Sequence, residues 1–131
     1  MGLDMWLNDN KGKELFYWRK ANAIHKWFVE NVQNGIDECK DYKVTKEQLK
    51  KLLDTISEVL GKTPKERLIN HLTGDNFDIE KAKELLPTTD GFFFGGTEYD
   101  EDYVEDLIRT KEFLEELLPK LKGKVIYSAS W

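Results

Sequence analysis

The sequence has little of what a disulfide-stabilised, metal-binding or membrane-spanning protein needs. Its only cysteine, Cys39, cannot form a disulfide within the chain, so the hydrophobic core must stabilise the fold. Its two histidines, His25 and His71, belong to no HxxxH or CxxC pattern, which argues against a structural zinc site. No stretch approaches the roughly 20 apolar residues of a membrane span. Residues 1–10 lack the basic start and apolar run of a signal peptide, so we predict a cytoplasmic protein.

The composition is that of a folded globular domain. Of the 131 residues, 40% are hydrophobic and 34% are charged, which predicts one domain over residues 1–131. The 25 acidic residues outnumber the 20 basic ones, and the net charge of -5 repels a phosphate backbone. We therefore expect no general nucleic-acid binding.

The two ends of the chain carry the alternation of β-strands. Leu3, Met5 and Leu7 alternate with other residues near the start, and Val125, Tyr127 and Ala129 do so near the end. Between these segments the patterns are helical. The sequence thus predicts a mainly helical α+β fold in which the terminal strands pair in a small sheet.

A central, aromatic-rich helix is predicted from Glu14 to Gln33. Apolar residues recur there at helical spacing, and Asn34-Gly35 supplies a left-handed stop. The apolar arc is wide, so we expect neighbours on several sides of this helix. The recurring residues are Tyr17, Ala21, Ile24, Phe28 and Val32, with Trp18, Trp27 and Val29 widening the arc.

Four further helices are predicted from paired start and stop signals. In each, a threonine or aspartate is the N-cap, and a glycine or proline follows the end in three of them. The first helix begins at the cap Thr45, which pairs with Gln48, and runs through Leu60 to the stop at Gly61. The second runs from Thr63 to His71, and the third runs from Asp78 to just before Pro87. The fourth begins at Asp100, is broken by Pro119 and ends at Gly123.

The segment from Asp90 to Thr97 places three phenylalanines between glycines and predicts a short strand or an extended turn. Phe92 and Phe94 pack inward while Phe93 covers a groove, or all three form a patch that recruits a partner. The GK[ST] ending of a phosphate loop is absent. The four tryptophans and this triplet also suggest a homo-oligomer.

Projected on a helix, Trp18, Asn22 and His25 lie together at one margin of the apolar arc, and Arg19 and Lys26 lie beside Asn22. Two interpretations remain open. The margin borders a pocket in which an aromatic face stacks a planar ligand and a cation meets an anion, or it is an ordinary amphipathic boundary. His25 as a general base would need a partner, such as Cys39 brought near by the fold.

Several motifs resemble a family of small bacteriophage and prophage proteins. The resemblance covers nearly the whole chain, although that family has tyrosine at the position of Trp6 and paired serines at Ala129-Ser130. The motifs are GLDM from Gly2, YWRKANAIHKWF from Tyr17, the segment from Val29 to Gly35, Leu86-Pro87-Thr88, GFFFG from Gly91, Tyr99-Asp100 and the terminal YSASW from Tyr127. The resemblance implies a phage-encoded accessory protein acting in the cytoplasm of an infected bacterium.

The resulting prediction is a protein that binds a ligand without turning it over and uses no cofactor or metal. The ligand would be a small, planar anion such as a nucleotide signal, sequestered to counter host defence. An alternative is an inhibitor that presents the acidic helix 98–116 to a host or defence enzyme. A third is a small enzyme with His25 as base. The predicted ligand-binding residues are Trp18, Arg19, Asn22, His25, Lys26, Thr88, Phe93 and Tyr99.

Overall fold

The fold combines a four-stranded antiparallel sheet with four α-helices in the residues that the computed structural model describes, 2–61, 78–90 and 96–131. The predicted mainly helical α+β class is confirmed. In chain order the elements are β1 (Asp4–Asn8), β2 (Glu14–Arg19), α1 (Asn22–Asn31), β3 (Tyr42–Val44), α2 (Lys46–Leu60), α3 (Ile79–Leu85), α4 (Glu101–Leu117), a 3-10 turn (Leu118–Lys120) and β4 (Val125–Ser130).

The predicted pairing of the terminal strands is confirmed. The sheet has the order β2-β1-β4-β3, so β1 and β4 are its two central strands, with Met5 opposite Ala129. Alternation along β1 buries Leu3, Met5 and Leu7 completely. These three side chains form the floor of the core on which the helices pack.

The predicted helix from Glu14 to Gln33 is wrong in its first part. Residues 14–19 form β2, which pairs with β1 and places Trp18 opposite Met5 and Phe16 opposite Leu7. The aromatic residues of this segment favour an extended backbone, and β1 needs a second neighbour for its backbone N–H and C=O groups. Lys20, with φ of 56°, separates the strand from α1. The helical spacing between Tyr17 and Ala21 is therefore coincidental.

The second part of the central helix is confirmed. In α1, Ile24 and Phe28 are fully buried, and Phe28 stacks on Tyr127 of β4 at 3.9 Å between ring centroids. Asn34 and Gly35 both adopt positive φ angles, 56° and 82°, after the helix ends. The amide of Gly35 donates to the carbonyl of Val29 at 2.7 Å, which satisfies a carbonyl of the last turn.

The predicted caps of the other described helices are confirmed. Thr45 and Gln48 form a reciprocal capping box at the start of α2, and Gly61 ends that helix with φ of 66°. The Asp78 and Asp100 carboxylates accept hydrogen bonds from the amides of Lys81 and Tyr103. The predicted helix from Thr63 to His71 and the triplet Phe92 to Phe94 lie outside the described residues.

The strand β3 was not predicted, because its three residues lie directly before the Thr45 cap. It pairs with β4, with Tyr42 opposite Tyr127 and Val44 opposite Val125, and Val44 is fully buried. Among the described residues, no helix has both the length and the apolar character needed to cross a membrane.

Candidate ligand-binding cleft

A cleft of about 350 Å³ lies between the start of α1 and the first half of α4. This volume falls within the range of pockets that hold small molecules. Its walls come from four parts of the chain: Arg19, Lys20 and Ala21 after β2; Asn22, Ala23 and Ile24 of α1; Thr88, Gly96, Glu98 and Asp100; and Asp102, Tyr103, Glu105, Asp106, Leu107 and Arg109 of α4. Side chains of both charges therefore meet in one small volume.

Asn22 fixes one wall of the cleft. Its side chain is only 4% exposed, its amide Nδ2 donates to the carbonyl of Gly96 at 2.9 Å, and its Oδ1 accepts from the amide of Thr89 at 3.0 Å. Buried amide groups that are paired on both sides hold their neighbours in one arrangement. The start of α1 is thus tied to two segments distant in sequence.

Thr88 and Tyr99 continue this wall. The Thr88 hydroxyl donates to the carbonyl of Thr97 at 2.9 Å, and the Thr88 amide donates to the Tyr99 hydroxyl at 3.1 Å. The Tyr99 ring lies edge-on to Tyr103 with centroids 5.0 Å apart. The backbone on both sides of residues 91–95 is consequently held in place before any ligand arrives.

The basic end of the cleft is formed by the first turn of α1 with Arg19 and Lys20. Among the described residues no side chain caps this helix, whose N-cap position is Ala21. The first-turn amides of an α-helix have no partner within the helix and carry its positive partial charge. Amides, Arg19 and Lys20 together make this end suitable for an anionic group.

The acidic wall is one face of α4. Asp102, Glu105 and Asp106 are spaced three and four residues apart, which places them side by side on the helix. Burial raises the pKa of Asp106 to about 7; the nearby Arg109 lowers it, while Asp102, Glu105 and Asp100 raise it. Asp106 therefore changes charge near neutral pH, unlike an ordinary carboxylic acid. Within the described residues, no group of three acidic, histidine or cysteine side chains is placed to hold a metal ion.

Two predicted site residues, Trp18 and His25, are in the core instead. Trp18 is 1% exposed, and its indole Nε1 donates to the Thr110 hydroxyl at 2.7 Å. It lies on β2, so the predicted helix margin of Trp18, Asn22 and His25 does not exist as one surface. The buried Trp18 has no free face on which a planar ligand could stack.

His25 is fully buried between three elements. Its Nδ1 lies 2.6 Å from the Tyr127 hydroxyl and its Nε2 lies 2.8 Å from Oδ1 of Asp37. Burial lowers the pKa of His25, and the Asp37 carboxylate opposes that shift. This pairing resembles that of a catalytic histidine, but no substrate can reach a ring without solvent exposure. Cys39, the other residue considered for this pair, is an exposed free thiol.

The remaining predicted residues have different positions. Arg19, Asn22 and Thr88 line the cleft together, and the Tyr99 hydroxyl accepts a hydrogen bond from the Thr88 amide. Lys26 points into a smaller groove beside Trp27 and pairs with Glu30 at 3.3 Å. Phe93 lies outside the described residues.

Sequence reasoning missed Asp106 and Arg109 as cleft residues. The acidic helix 98–116 was interpreted as a surface for a basic partner enzyme and not as the wall of a cleft. The available signal was the spacing of Asp102, Asp106 and Arg109, which places three charges on one helix face beside the buried Leu107. A charged face that is partly buried is unusual for a simple solvated surface.

Comparisons of the chain with protein-family models, with curated proteins and with solved structures find no match. Function is therefore inferred from the chemistry of the cleft.

Proposed function

We propose that the protein binds a small anionic ligand in this cleft without converting it chemically. The observation that carries the proposal is the first turn of α1, which faces the cleft between Arg19 and Lys20 on one side and Thr88 on the other. Helix N-terminal amides and basic side chains each favour an anion by about 0.3–1 kcal/mol or more, and they act together on a phosphate or carboxylate.

The specific ligand in this proposal is the one predicted from the sequence, a nucleotide signal sequestered by a phage accessory protein in the bacterial cytoplasm. The basic end supports the phosphate part of such a ligand. The base would need an apolar or aromatic surface other than the buried Trp18.

Binding without turnover is supported by what lines the cleft. Of the described residues, no cysteine, serine or histidine contributes to its walls, and the Thr88 hydroxyl already donates to the carbonyl of Thr97. His25, the base of the enzyme hypothesis, is fully buried against Tyr127 and Asp37. Asp106, with a pKa of about 7, could exchange a proton near neutral pH, which is not sufficient for group transfer.

The proposal is tested by titrating isotope-labelled protein with adenosine monophosphate and with inorganic phosphate while recording amide shifts. We expect saturable shifts that concentrate on Ala21 to Ile24 and weaken at least fivefold in Arg19→Gln. Lys43→Gln, which removes a positive charge from the exposed middle of β3, is the matched control and should bind as the wild type does. Equal weakening in both variants would show that only overall charge matters and would overturn the proposal.

A second candidate function is inhibition of a basic host or defence enzyme through the outer face of α4. The supporting observation is a series of exposed carboxylates along this helix: Glu101, Asp102, Glu105, Glu112, Glu115 and Glu116. Binding through this face should weaken steeply with salt and with the triple change Glu112→Gln, Glu115→Gln, Glu116→Gln. Binding that is insensitive to both would exclude it.

A homo-oligomer is retained as a proposal from the sequence. The large hydrophobic side chains that are exposed among the described residues are Tyr17, Ile36 and Ile79. Sedimentation of the protein over a hundredfold range of concentration would test it, since association depends on concentration.

A further inference from the structure

The acidic wall of the cleft, on α4, indicates the chemical nature of the rest of the ligand. We infer that the ligand is a small zwitterion whose ammonium group pairs with the Asp106 carboxylate while its anionic group binds at the first turn of α1. This inference rests on the proposed function, because it keeps the anionic group at the same site, and it replaces the nucleotide by a ligand that also carries an ammonium group.

Asp106 differs from the other acids of the cleft because it is partly buried and its side chain also has no structural role. The Asp100 carboxylate caps α4 by accepting from the amide of Tyr103 at 3.2 Å. Asp102 and Glu105 are exposed to solvent. Asp106 is half-buried, and none of the described residues donates a hydrogen bond to its carboxyl group. A half-buried carboxylate without a donor is unfavourable, and a ligand ammonium would supply both charge and donors.

The charge balance of the cleft leads to the same chemistry. Arg19, Lys20 and Arg109 contribute positive charge, whereas five acidic side chains line the same volume: Glu98, Asp100, Asp102, Glu105 and Asp106. A ligand with only negative charge would be attracted at one end and repelled by the facing wall. A ligand with opposite charges at its two ends matches both walls.

Ionisation of Asp106 gives the inference a measurable signature. Charged groups from three parts of the chain surround Asp106. They are Asp102, Glu105 and Arg109 of α4 with its N-cap Asp100, the neighbouring Glu98, and Arg19 and Lys20 across the cleft. Burial holds the pKa of Asp106 near 7, so an approaching ammonium favours the ionised form and displaces a proton. Affinity for a zwitterion should therefore increase between pH 6 and pH 8.

The experiment compares two probes that differ only in the ammonium group, O-phosphoethanolamine and ethyl phosphate, by calorimetry at pH 8. We expect O-phosphoethanolamine to bind about tenfold more tightly or better. Asp106→Asn, which keeps the shape of the side chain, should reduce this preference to less than twofold. Glu101→Gln removes a charge from the same helix outside the cleft lining and should leave the preference unchanged.

The outcomes separate this inference from the proposed function. Equal binding of both probes to the wild type overturns the zwitterion and leaves the anion site standing. Binding of neither probe overturns both. A preference that survives Asp106→Asn shows that Asp106 is the wrong partner. If Asp106→Asn does not fold, the two wild-type affinities at pH 6 and pH 8 decide, each expressed per dianionic phosphate because the ammonium group lowers the second phosphate pKa of O-phosphoethanolamine; a ratio of these corrected affinities that stays constant overturns the inference.

Discussion

The indole Nε1 of Trp18 donates a 2.7 Å hydrogen bond to the hydroxyl of Thr110, and this bond joins the edge strand β2 to α4. The Thr110 hydroxyl in turn donates to the carbonyl of Asp106 at 2.7 Å. Both side chains are buried. Arg19 follows Trp18 in sequence, and Asp106 lies one helical turn before Thr110, so the same bond sets the separation of the basic and acidic walls.

Thr110→Val should destabilise the protein by about 1–3 kcal/mol, because it leaves the buried indole N–H without an acceptor at nearly unchanged volume. The measurement is urea unfolding at pH 7. Thr55→Val is the control, since the Thr55 hydroxyl also donates to a carbonyl one turn earlier, that of Lys51, but is exposed. A similar loss in the two variants would show that the Trp18 contact contributes nothing.

Asn22→Asp should lower stability by about 1–3 kcal/mol and weaken phosphate binding, because it replaces the amide that donates to the Gly96 carbonyl and adds a negative charge to the anion site. Both effects are read from one sample by thermal unfolding with and without phosphate. Asn31→Asp, at the far end of α1, is the comparison. Phosphate affinity equal in the two variants would contradict the assigned anion site.

The imidazole of His25 should titrate below pH 6.5 in the folded protein, because burial disfavours its charged form. In the unfolded chain it takes up a proton near pH 6.5, so its effect on stability is absent above that pH and becomes unfavourable as the pH falls. Nitrogen chemical shifts between pH 4 and 8 measure both the pKa and the tautomer, which should carry its proton on Nε2 toward Asp37.

Asp37→Asn provides the internal control for this titration. The Asp37 carboxylate raises the pKa of His25 against the effect of burial, so its removal should lower that pKa further. An unchanged or higher pKa in Asp37→Asn would mean that the contact does not persist in solution.

Asp106→Asn should stabilise the ligand-free protein at pH 8 and have little effect at pH 4.5. The folded-state pKa of Asp106, about 7, exceeds the ordinary aspartate pKa of 3.8, so stability decreases as the pH rises between these values and stays low above them. Each pKa unit corresponds to about 1.4 kcal/mol, which makes a gain of a few kcal/mol the upper limit. Urea unfolding at both pH values gives the difference, and an equal effect at the two would rule out the raised pKa.

Most of the fold follows from local sequence signals. Capping residues such as Thr45, Asp78 and Asp100 predicted where helices begin, because their side chains satisfy amides that the helix leaves unpaired. The alternation around Met5 and Tyr127 predicted both central strands. These signals act over a few residues and are visible without tertiary structure.

The errors came from interactions between distant residues. Tyr17 and Trp18 fit a helical pattern, yet pairing with Trp6 and Met5 across a hairpin decided their conformation. The residues that line the cleft were named only in part from the sequence, because some of them come together through contacts between distant segments. Arg19, Asn22 and Thr88 were named from their chemistry, whereas Asp106 and Arg109 became part of the cleft through tertiary contacts of α4, such as those of Trp18 with Thr110 and of Phe16 with Phe113.

The strand order β2-β1-β4-β3 also affects how the protein is made. During translation, the β1–β2 hairpin leaves the ribosome early and can pair at once, but β3 has no sheet neighbour until residues 125–130 have emerged. Tyr127, which supplies the ring beneath Phe28 and the hydroxyl beside His25, arrives with that strand. Until β4 has emerged, the surface of α1 that packs on Tyr127 stays uncovered, an interval in which aggregation competes with folding.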